Sequence, residues 1–197
     1  MTVIDYGVGN LHSISKAFER AGAEVEVSGD PARLLASECM VFPGVGAFGA
    51  AARTLLPIMP FLRSRIAGGI PVLGVCLGMQ LLFERSAESP GDGVGAFAGA
   101  VDRLKAPRVP HMGWNEVDAM DDQLFEGVPP RSMFYFANSY VCNPSESVGI
   151  AETIYGERFV SAVRRGAVCG VQFHPEKSGE PGLKVIRNFV RIAERST

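Results

Sequence analysis

A cysteine stands in a predicted strand-to-helix turn, the position that best exposes a nucleophile. Residues 74–78 read Gly-Val-Cys-Leu-Gly, where an apolar strand gives way to a helical pattern. This is the Gly-x-Ser-x-Gly nucleophile elbow with cysteine in place of serine, and its glycines are expected to permit the turn and clear space for a substrate. The N–H groups and dipole of a helix N-terminus favour a thiolate. The pattern predicts Cys76 as a nucleophile; the alternative is a buried structural cysteine.

A histidine and a carboxylate near the far end of the chain supply the other groups that a thiol nucleophile needs. Residues 172–176 read Gln-Phe-His-Pro-Glu after an apolar run. The nucleophile needs a base, and the base needs a partner that orients it. Pro175 favours an extended His174, and side chains two residues apart on an extended chain point the same way. We predict His174 as the base and Glu176 as its orienting group. The alternative is a strand-end histidine bonded to backbone.

Two glycine-containing loops follow predicted strands. Residues 43–46 read Pro-Gly-Val-Gly, and with the N–H of Leu77 this loop predicts an oxyanion hole; the alternative is a plain turn. Residues 7–10 read Gly-Val-Gly-Asn. They lack the third glycine of a dinucleotide-binding loop, because His12 stands at that position. A strand-to-helix turn or a contact with a partner protein is expected there instead.

Composition predicts a globular chain without nucleic-acid or membrane affinity. The 197 residues are 47% hydrophobic and 20% charged, so a single domain over residues 1–197 with a substantial core is expected. The net charge of −2 gives no electrostatic reason to bind nucleic acid or an anionic membrane. The cysteines, at positions 39, 76, 142 and 169, show no metal-ligating or paired spacing. We therefore expect no metal, no other cofactor and a reducing, cytoplasmic location.

One charge-free stretch has to be distinguished from a membrane span. Residues 66–83 carry no charged side chain, and this length is close to the roughly 18 residues at which a transmembrane helix is considered. The stretch contains several glycines and Pro71, and its pattern changes from strand to helix. A buried parallel strand, which is apolar throughout, explains it better. The acidic residue at position 5 argues against a signal peptide.

The predicted elements give an α/β fold whose second half is rich in strands. Strands are predicted over residues 3–6, 23–28, 39–42 and 70–75, alternating with helices that begin at residues 11, 47 and 77. This alternation implies a parallel sheet with right-handed crossovers. The second helical segment, residues 47–67, is expected to break near Pro57 and Pro60. Later strands are predicted over residues 115–118, 133–140, 148–155, 159–163 and 167–174. A loop is expected over 89–99 and a final helix over 182–194.

Together these motifs resemble those of class I (triad) glutamine amidotransferases. The elbow continues as Gly-Val-Cys-Leu-Gly-Met-Gln and the late motif as Gln-Phe-His-Pro-Glu-Lys. Segments at 4–11, 43–48, 109–115 and 135–140 are similar to the glutaminase subunits of imidazole glycerol phosphate synthase. The matches extend from residue 4 to about 178. The resemblance implies a flavodoxin-like fold, with a central, mainly parallel sheet flanked by helices.

The resemblance also implies a role for each matched residue. Cys76 would attack the side-chain amide of glutamine, His174 would protonate the leaving ammonia and then activate water, and Glu176 would orient His174. The positions that would hold glutamine or its oxyanion are Gly44, Gly46, Leu77 and Gln80. The positions that would lie at a subunit interface are Asn10, Tyr135, Asn138 and Lys177.

Two features of the family-specific segments are less regular. Residues 111–114 are expected to form a turn that packs Trp114 near the interface. The family more often has histidine where this chain has Asn138, and asparagine keeps a donor and an acceptor but does not titrate. That difference leaves the triad intact and concerns only signalling at the interface.

Finally, the resemblance implies a partner in trans. The glutaminase motifs and the last helix extend nearly to residue 197, so no segment is expected to hold an ammonia-consuming domain. The implied partner is a cyclase subunit, a (β/α)8 barrel, in a heterodimer. With the ammonia it would convert a phosphoribulosyl aminoimidazole carboxamide nucleotide into imidazole glycerol phosphate and an aminoimidazole carboxamide ribotide, in histidine biosynthesis.

Two alternatives stay open. One is another enzyme on the same fold, either a glutaminase that serves a different synthase or a γ-glutamyl hydrolase. The segments at 109–115 and 135–140 argue against it. The other is a regulatory or scaffold subunit without activity, and the intact set of Cys76, His174 and Glu176 argues against that.

Overall fold

A long mixed sheet with helices on both faces organises the chain, and the computed structural model describes residues 1–7 and 9–196 of it. The α-helices are α1 (Leu11–Arg20), α2 (Pro31–Ala36), α3 (Phe48–Leu55), α4 (Met59–Ala67), α5 (Leu77–Leu81) and α6 (Gly179–Glu194). Single 3₁₀ turns cover Leu56–Ile58, Gln123–Phe125 and Pro175–Lys177. The strands are β1 (Thr2–Ile4), β2 (Glu26–Ser28), β3 (Met40–Phe42), β4 (Val72–Val75), β5 (Arg85–Ser86), β6 (Gly99–Arg103), β7 (His111–Glu116), β8 (Asp118–Ala119), β9 (Met133–Asn138), β10 (Tyr140–Pro144), β11 (Gly149–Tyr155), β12 (Glu157–Arg165) and β13 (Val168–Val171).

The centre of the sheet is parallel and positions the functional loops. Its strands follow the order β2-β1-β3-β4-β13, all parallel to one another. This is the flavodoxin-like order, with β13 as the fifth strand. The sheet continues through β12 and β10 to β6 as antiparallel pairs. The predicted α/β class and the strand-rich second half are confirmed. The loops after β1, β3, β4 and β13 all leave the same, carboxyl edge of the sheet, where ligands bind in such folds.

Each face of the central sheet buries its own hydrophobic cluster. On one face, Phe18 of α1 and Phe189 of α6 pack edge to face, with ring centroids 6.2 Å apart, against side chains of the central strands. On the other face, α3, α4 and α5 cover a second cluster that includes Phe42 and Phe48. Alternate residues of a strand point to opposite faces, so the short apolar strands supply both clusters.

The charge-free stretch folds as a buried strand between two helices. It begins at the end of α4, continues through β4, all of which is buried, and ends just beyond α5. The predicted break in the preceding helical segment is also present, because the 3₁₀ turn with Pro57 separates α3 from α4. Among the residues described, no helix combines the length and apolar character that crossing a bilayer requires.

Several predicted boundaries shift, and one helix was missed. The helix after the elbow ends at Leu81, the last strand ends at Val171, and the final helix begins at Gly179. The predicted strand over 133–140 is two strands, β9 and β10. The missed helix, α2, begins with Asp30, whose side chain accepts from the N–H of Ala32, followed by proline at the first helical position. That signal was readable, since aspartate caps and proline starts helices.

The turn predicted over residues 111–114 was wrong. These residues belong to β7, which pairs antiparallel with β9 in a separate two-stranded sheet. Met112 and Trp114 are exposed while His111 is buried, which is the alternation of a strand with one face in contact with the core. The segment therefore exposes every second side chain, including those of Met112 and Trp114.

His111 lies inside this part of the molecule as a neutral ring. It stacks between Phe136, at 4.7 Å, and Tyr155, at 3.9 Å between ring centroids. The Asn115 amide nitrogen donates to the carbonyl oxygen of Ile154, so it must also donate to Nε2 of His111, 3.3 Å away. A ring nitrogen that accepts carries no proton. Burial lowers the pKa of His111 from 6.5 to about 4.

This shift predicts how stability depends on acidity. Above about pH 6.5 His111 is neutral in both the folded and the unfolded chain; below it, only the unfolded chain binds the proton, so the free energy of unfolding falls by up to about 3 kcal/mol as the pH approaches 4. His111→Phe keeps an aromatic ring and removes the titration. Urea unfolding of this variant should show that loss reduced by about 2–3 kcal/mol relative to wild type.

The control is His12→Gln, because His12 is exposed on α1. It should follow the wild-type stability curve throughout. An acid-side slope that is the same in His111→Phe and wild type would contradict the neutral, buried state of His111.

Candidate active site

Cys76 occupies the turn between β4 and α5 in a left-handed backbone conformation. Its φ is 52° and its ψ is −108°, a region that residues with side chains rarely adopt. The Cys76 N–H donates to the carbonyl oxygen of Val171 at 2.8 Å, and its own carbonyl accepts from the N–H of Gln80 at 3.1 Å. The predicted nucleophile elbow is therefore present, and its strain lies on the cysteine itself.

The elbow glycines allow close backbone contacts between α5 and the strands β3 and β4. Neither Gly74 nor Gly78 has a positive φ. A Cβ on Gly78 would lie 1.9 Å from the carbonyl oxygen of Phe42, and one on Gly74 would lie 2.6 Å from the carbonyl of Gly78. A side chain at either position would separate α5 from β3 or β4. The glycines thus allow the short helix to pack directly on the sheet. The sequence analysis did not predict this role for them.

His174 and Glu176 meet as predicted, although by a different backbone path. Nδ1 of His174 and Oε1 of Glu176 are 2.9 Å apart, and both side chains are buried. His174 is extended, with φ −100° and ψ 94°, as the following proline predicts. Glu176, however, lies in the 3₁₀ turn of Pro175–Lys177 rather than on an extended chain. The turn folds the carboxylate back onto the ring.

The backbone of His174 is anchored on both sides. Its N–H donates to the carbonyl oxygen of Tyr135 at 2.8 Å, which ties the end of the β13 segment to β9. Its carbonyl oxygen accepts from the hydroxyl of Ser178 at 2.6 Å. The hydroxyl oxygen of Ser178 in turn accepts from the N–H of Tyr135 at 3.0 Å. Ser178 was not singled out from the sequence, where a lone serine after the motif gives no signal. It fixes the position of the imidazole indirectly.

The electrostatics of the site favour a charged imidazole. Burial by itself lowers the pKa of His174, but hydrogen bonding to Cys76 and Glu176, together with the negative charge on both, raises it from 6.5 to about 10. With Glu176 on Nδ1, the proton available for exchange is on Nε2, which makes no hydrogen bond within the described structure. The arrangement stabilises an imidazolium near the cysteine that is expected to act as the nucleophile.

The remaining cysteines, Cys39, Cys142 and Cys169, are buried, protonated thiols. All of the cysteines are free thiols, and all are buried. Burial raises the pKa of Cys39 and of Cys169 to about 12, and burial with the nearby charge of Cys76 raises that of Cys142 well above its usual value. These three stay protonated and unreactive near neutral pH. In the part of the chain that the structure describes, no group of three or more His, Cys, Asp or Glu side chains is arranged to hold a metal ion.

The loop after β3 lies against the start of α5. A Cβ on Gly44 would lie 2.7 Å from the nitrogen of Leu77 and 2.6 Å from that of Gly78. N–H groups of the first helical turn have no acceptor within the helix, so the loop and the elbow bring together the groups that an oxyanion hole needs. Gly46 has a φ of 128°, which requires glycine. Gly9 of the loop after β1 packs on Pro43; Val8 of that loop lies outside the described residues.

The space between this loop and the triad is narrow. A cavity of about 10 Å³ is lined by Pro43, Gly44 and Val45 on one side and by His174 and Glu176 on the other. That volume holds at most about one water molecule. A glutamine side chain does not fit this cavity.

Gln80 is buried one turn beyond the nucleophile and is tied to a second amide. Its Nε2 donates to the carbonyl oxygen of Tyr140 and to Oε1 of Gln172, each at 3.2 Å. Nε2 of Gln172 lies 3.5 Å from Sγ of Cys76. Gln172 was missed from the sequence, although it stands two residues before His174 in the late motif.

The residues expected at an interface are divided between surface and interior. Asn10 is exposed, caps α1 by accepting from the N–H of Ser13, and lines the narrow cavity. Lys177 is exposed, and its Nζ lies 5.6 Å from the ring centroid of the half-buried Tyr135, a cation–π distance. Asn138 is buried and donates to the carbonyl oxygen of Tyr140 at 3.1 Å. Its side chain is not presented at the surface.

Comparison with known proteins agrees with this geometry. The family model of the class-I glutamine amidotransferases matches residues 2–193. The chain belongs to this family. This glutamine amidotransferase is 46% identical to imidazole glycerol phosphate synthase subunit HisH of Methanothermobacter thermautotrophicus, over 98% of both chains. It is 44% identical to the subunit of the same name from Nocardia farcinica, over 96% of both.

A solved structure shares the fold. The crystal structure of a glutamine amidotransferase superposes with a TM-score of 0.79 at 20% identity, covering 98% of each chain. The resemblance inferred from the sequence, both to the class I family and to the synthase subunits, is confirmed. The alternative of a different enzyme on the same fold loses its support, because the curated relatives cover nearly the whole chain at this identity.

Proposed function

We propose that this chain hydrolyses glutamine to glutamate and ammonia through a thioester on Cys76. The thiolate attacks the side-chain amide carbon, and the oxyanion that develops is held by N–H groups at Leu77 and the 43–46 loop. The His174 imidazolium gives its Nε2 proton to the amine as the C–N bond breaks, which releases ammonia and leaves a thioester. Neutral His174 then takes a proton from water, which attacks the thioester; glutamate leaves, and the thiolate and imidazolium are restored.

One observation carries this proposal. The ring that must both give and take the proton is held by Glu176 at 2.9 Å on Nδ1, and the neighbouring Cys76 and Glu176 raise its pKa to about 10 despite its burial. A scaffold subunit without activity has no need of a left-handed cysteine or of a buried carboxylate against a buried histidine, since each is costly in the absence of a reaction.

The role of the carboxylate gives the first test of the activity. Glu176→Gln removes the negative charge that stabilises the imidazolium and disturbs the ring orientation. We expect kcat for glutamate release to fall by about 10²–10⁴-fold, with KM little changed. The matched control is Glu180→Gln, because Glu180 is exposed at the start of α6 and, among the described residues, pairs with Arg187 on the same helix. It should behave as wild type. Equal losses in both variants, or none in Glu176→Gln, would rule out the triad.

The ammonia has an acceptor on a separate cyclase subunit in this proposal, which follows the name of the relatives. The surface that favours such a partner is the β7–β9 face, defined by Met112, Trp114, Met133 and Tyr135. The first three are exposed apolar side chains. Trp114 packs edge to face on Tyr135, whose backbone carbonyl accepts from the N–H of His174. The face is therefore continuous with the catalytic site, and Lys177 stands at its margin.

The 43–46 loop is the element through which such a partner would act on the site. This loop lines the small cavity beside His174 and Glu176, and it packs against the loop after β1 that carries Asn10. We propose that the loaded cyclase in a heterodimer favours the open loop and delivers the ammonia into imidazole glycerol phosphate and an aminoimidazole carboxamide ribotide, in histidine biosynthesis. We further propose a single domain over residues 1–197 and a cytoplasmic location, which suits the free cysteines.

This arrangement predicts stimulation and its loss. Glutamate release should be slow for the chain alone and rise steeply when the cyclase subunit and its nucleotide ligand are present. Trp114→Ala should weaken binding of the cyclase by about thirtyfold, about 2 kcal/mol, because a central tryptophan carries much of the energy of an interface. Titration calorimetry measures the binding, and the same titration followed by glutamate release measures the stimulation.

Phe61→Ala is the matched control. Phe61 is as exposed as Trp114, at 53% for each residue, but lies on α4. It should bind the cyclase with wild-type affinity. Stimulation of wild type by a different ammonia-consuming synthase, with none by the cyclase, would keep the glutaminase and overturn the partner.

A further inference from the structure

A chain of buried amides leads from the sheet to the nucleophile. It begins at the carbonyl oxygen of Tyr140, passes through the side chain of Gln80 and then that of Gln172, and ends at Sγ of Cys76. Gln172 has no exposed surface, and its backbone N–H donates to the carbonyl oxygen of Ser161 at 2.8 Å, which ties it to the neighbouring strand β12. The side chain is therefore held in one place beside the sulfur.

The direction of this chain follows from its first member. A backbone carbonyl oxygen accepts and never donates, so the atom of Gln80 that faces Tyr140 must be the NH₂ group. Its second hydrogen then points to Gln172, so the facing atom of Gln172 must be the oxygen. The NH₂ group of Gln172 is thereby turned to the sulfur. No flip of either amide keeps these hydrogen bonds, and Cys76 meets a donor.

We propose that Gln172 is a further member of the catalytic machinery, donating a side-chain N–H to the sulfur of Cys76 and so stabilising its thiolate form. The inference rests on the proposed role of Cys76 as the nucleophile. The same donor acts twice in a turnover. It increases the fraction of thiolate before the attack, and it favours departure of the thiolate when water releases glutamate from the thioester. Gln80 is a positioning residue here, because it orients the amide of Gln172.

The test is the pH dependence of alkylation of Cys76 by iodoacetamide, read from the peptide that contains it. A hydrogen bond to a charged group corresponds to a shift of about one to two pH units. In Gln172→Leu we therefore expect the midpoint of the alkylation profile to rise by about that amount. Rapid acid quenching during glutamine turnover should also trap a larger fraction of the variant as thioester, because its thiolate leaves more slowly.

Two further variants keep the result interpretable. Gln172→Glu preserves the shape but replaces the donor with a carboxylate oxygen, so it should raise the midpoint at least as far, even where Gln172→Leu fails to fold. Asn188→Leu removes another buried amide, which donates to the carbonyls of Leu124 and Glu126 far from the sulfur. It should lower the melting temperature and leave the midpoint unchanged.

The outcomes separate this inference from the proposed function. Folded Gln172 variants with a wild-type midpoint overturn the role of Gln172, whether or not glutamine is hydrolysed. A midpoint that also rises in Asn188→Leu assigns the shift to general loosening and overturns it as well. Alkylation uses no glutamine, so an absence of glutaminase activity would count against the proposed function alone.

Discussion

The left-handed backbone of Cys76 costs on the order of 1–3 kcal/mol for a residue with a side chain, and the surrounding structure is arranged to hold it. The N–H of Cys76 is tied to Val171 on β13, and its carbonyl to Gln80 in α5. Gly78 lets that helix lie directly on the Phe42 carbonyl at the end of β3. Contacts with β3, β4 and β13 therefore hold the strained turn at the centre of the sheet, and the sulfur lies at the carboxyl edge of these strands.

Charge distribution around the sulfur follows from that placement. The β13 strand that accepts the Cys76 N–H continues into His174, so one strand pair fixes both the nucleophile and its base. Glu176 on Nδ1, together with the nearby Cys76, makes the protonated ring favourable despite its burial. The β7–β9 sheet anchors the backbone of His174 through Tyr135, and it exposes Trp114 beside the Tyr135 ring. A partner bound there touches the element that positions the base.

Local sequence signals predicted the parts of the site that local geometry determines. The elbow, the loop after β3 and the His-Pro-Glu motif all carry glycine or proline at fixed spacing, and the structure brings them together at one edge of the sheet. The features that were predicted wrongly or missed depend on contacts between residues distant in the sequence. Residues 111–114 form a strand because β9 is available to pair with them. The buried position of Asn138 and the contact of Gln172 with the sulfur likewise depend on residues far away in the chain.

In the proposed reaction, glutamine is cleaved through a covalent bond to Cys76. The most direct measurement mixes the chain and its cyclase partner with glutamine, quenches the mixture in acid within a turnover, and determines the mass of the peptide that contains Cys76. We expect an added glutamyl group on that cysteine, with neither adduct nor glutamate from Cys76→Ala. Glutamate formed at the wild-type rate by Cys76→Ala, or a glutamyl group found on another residue, would contradict it.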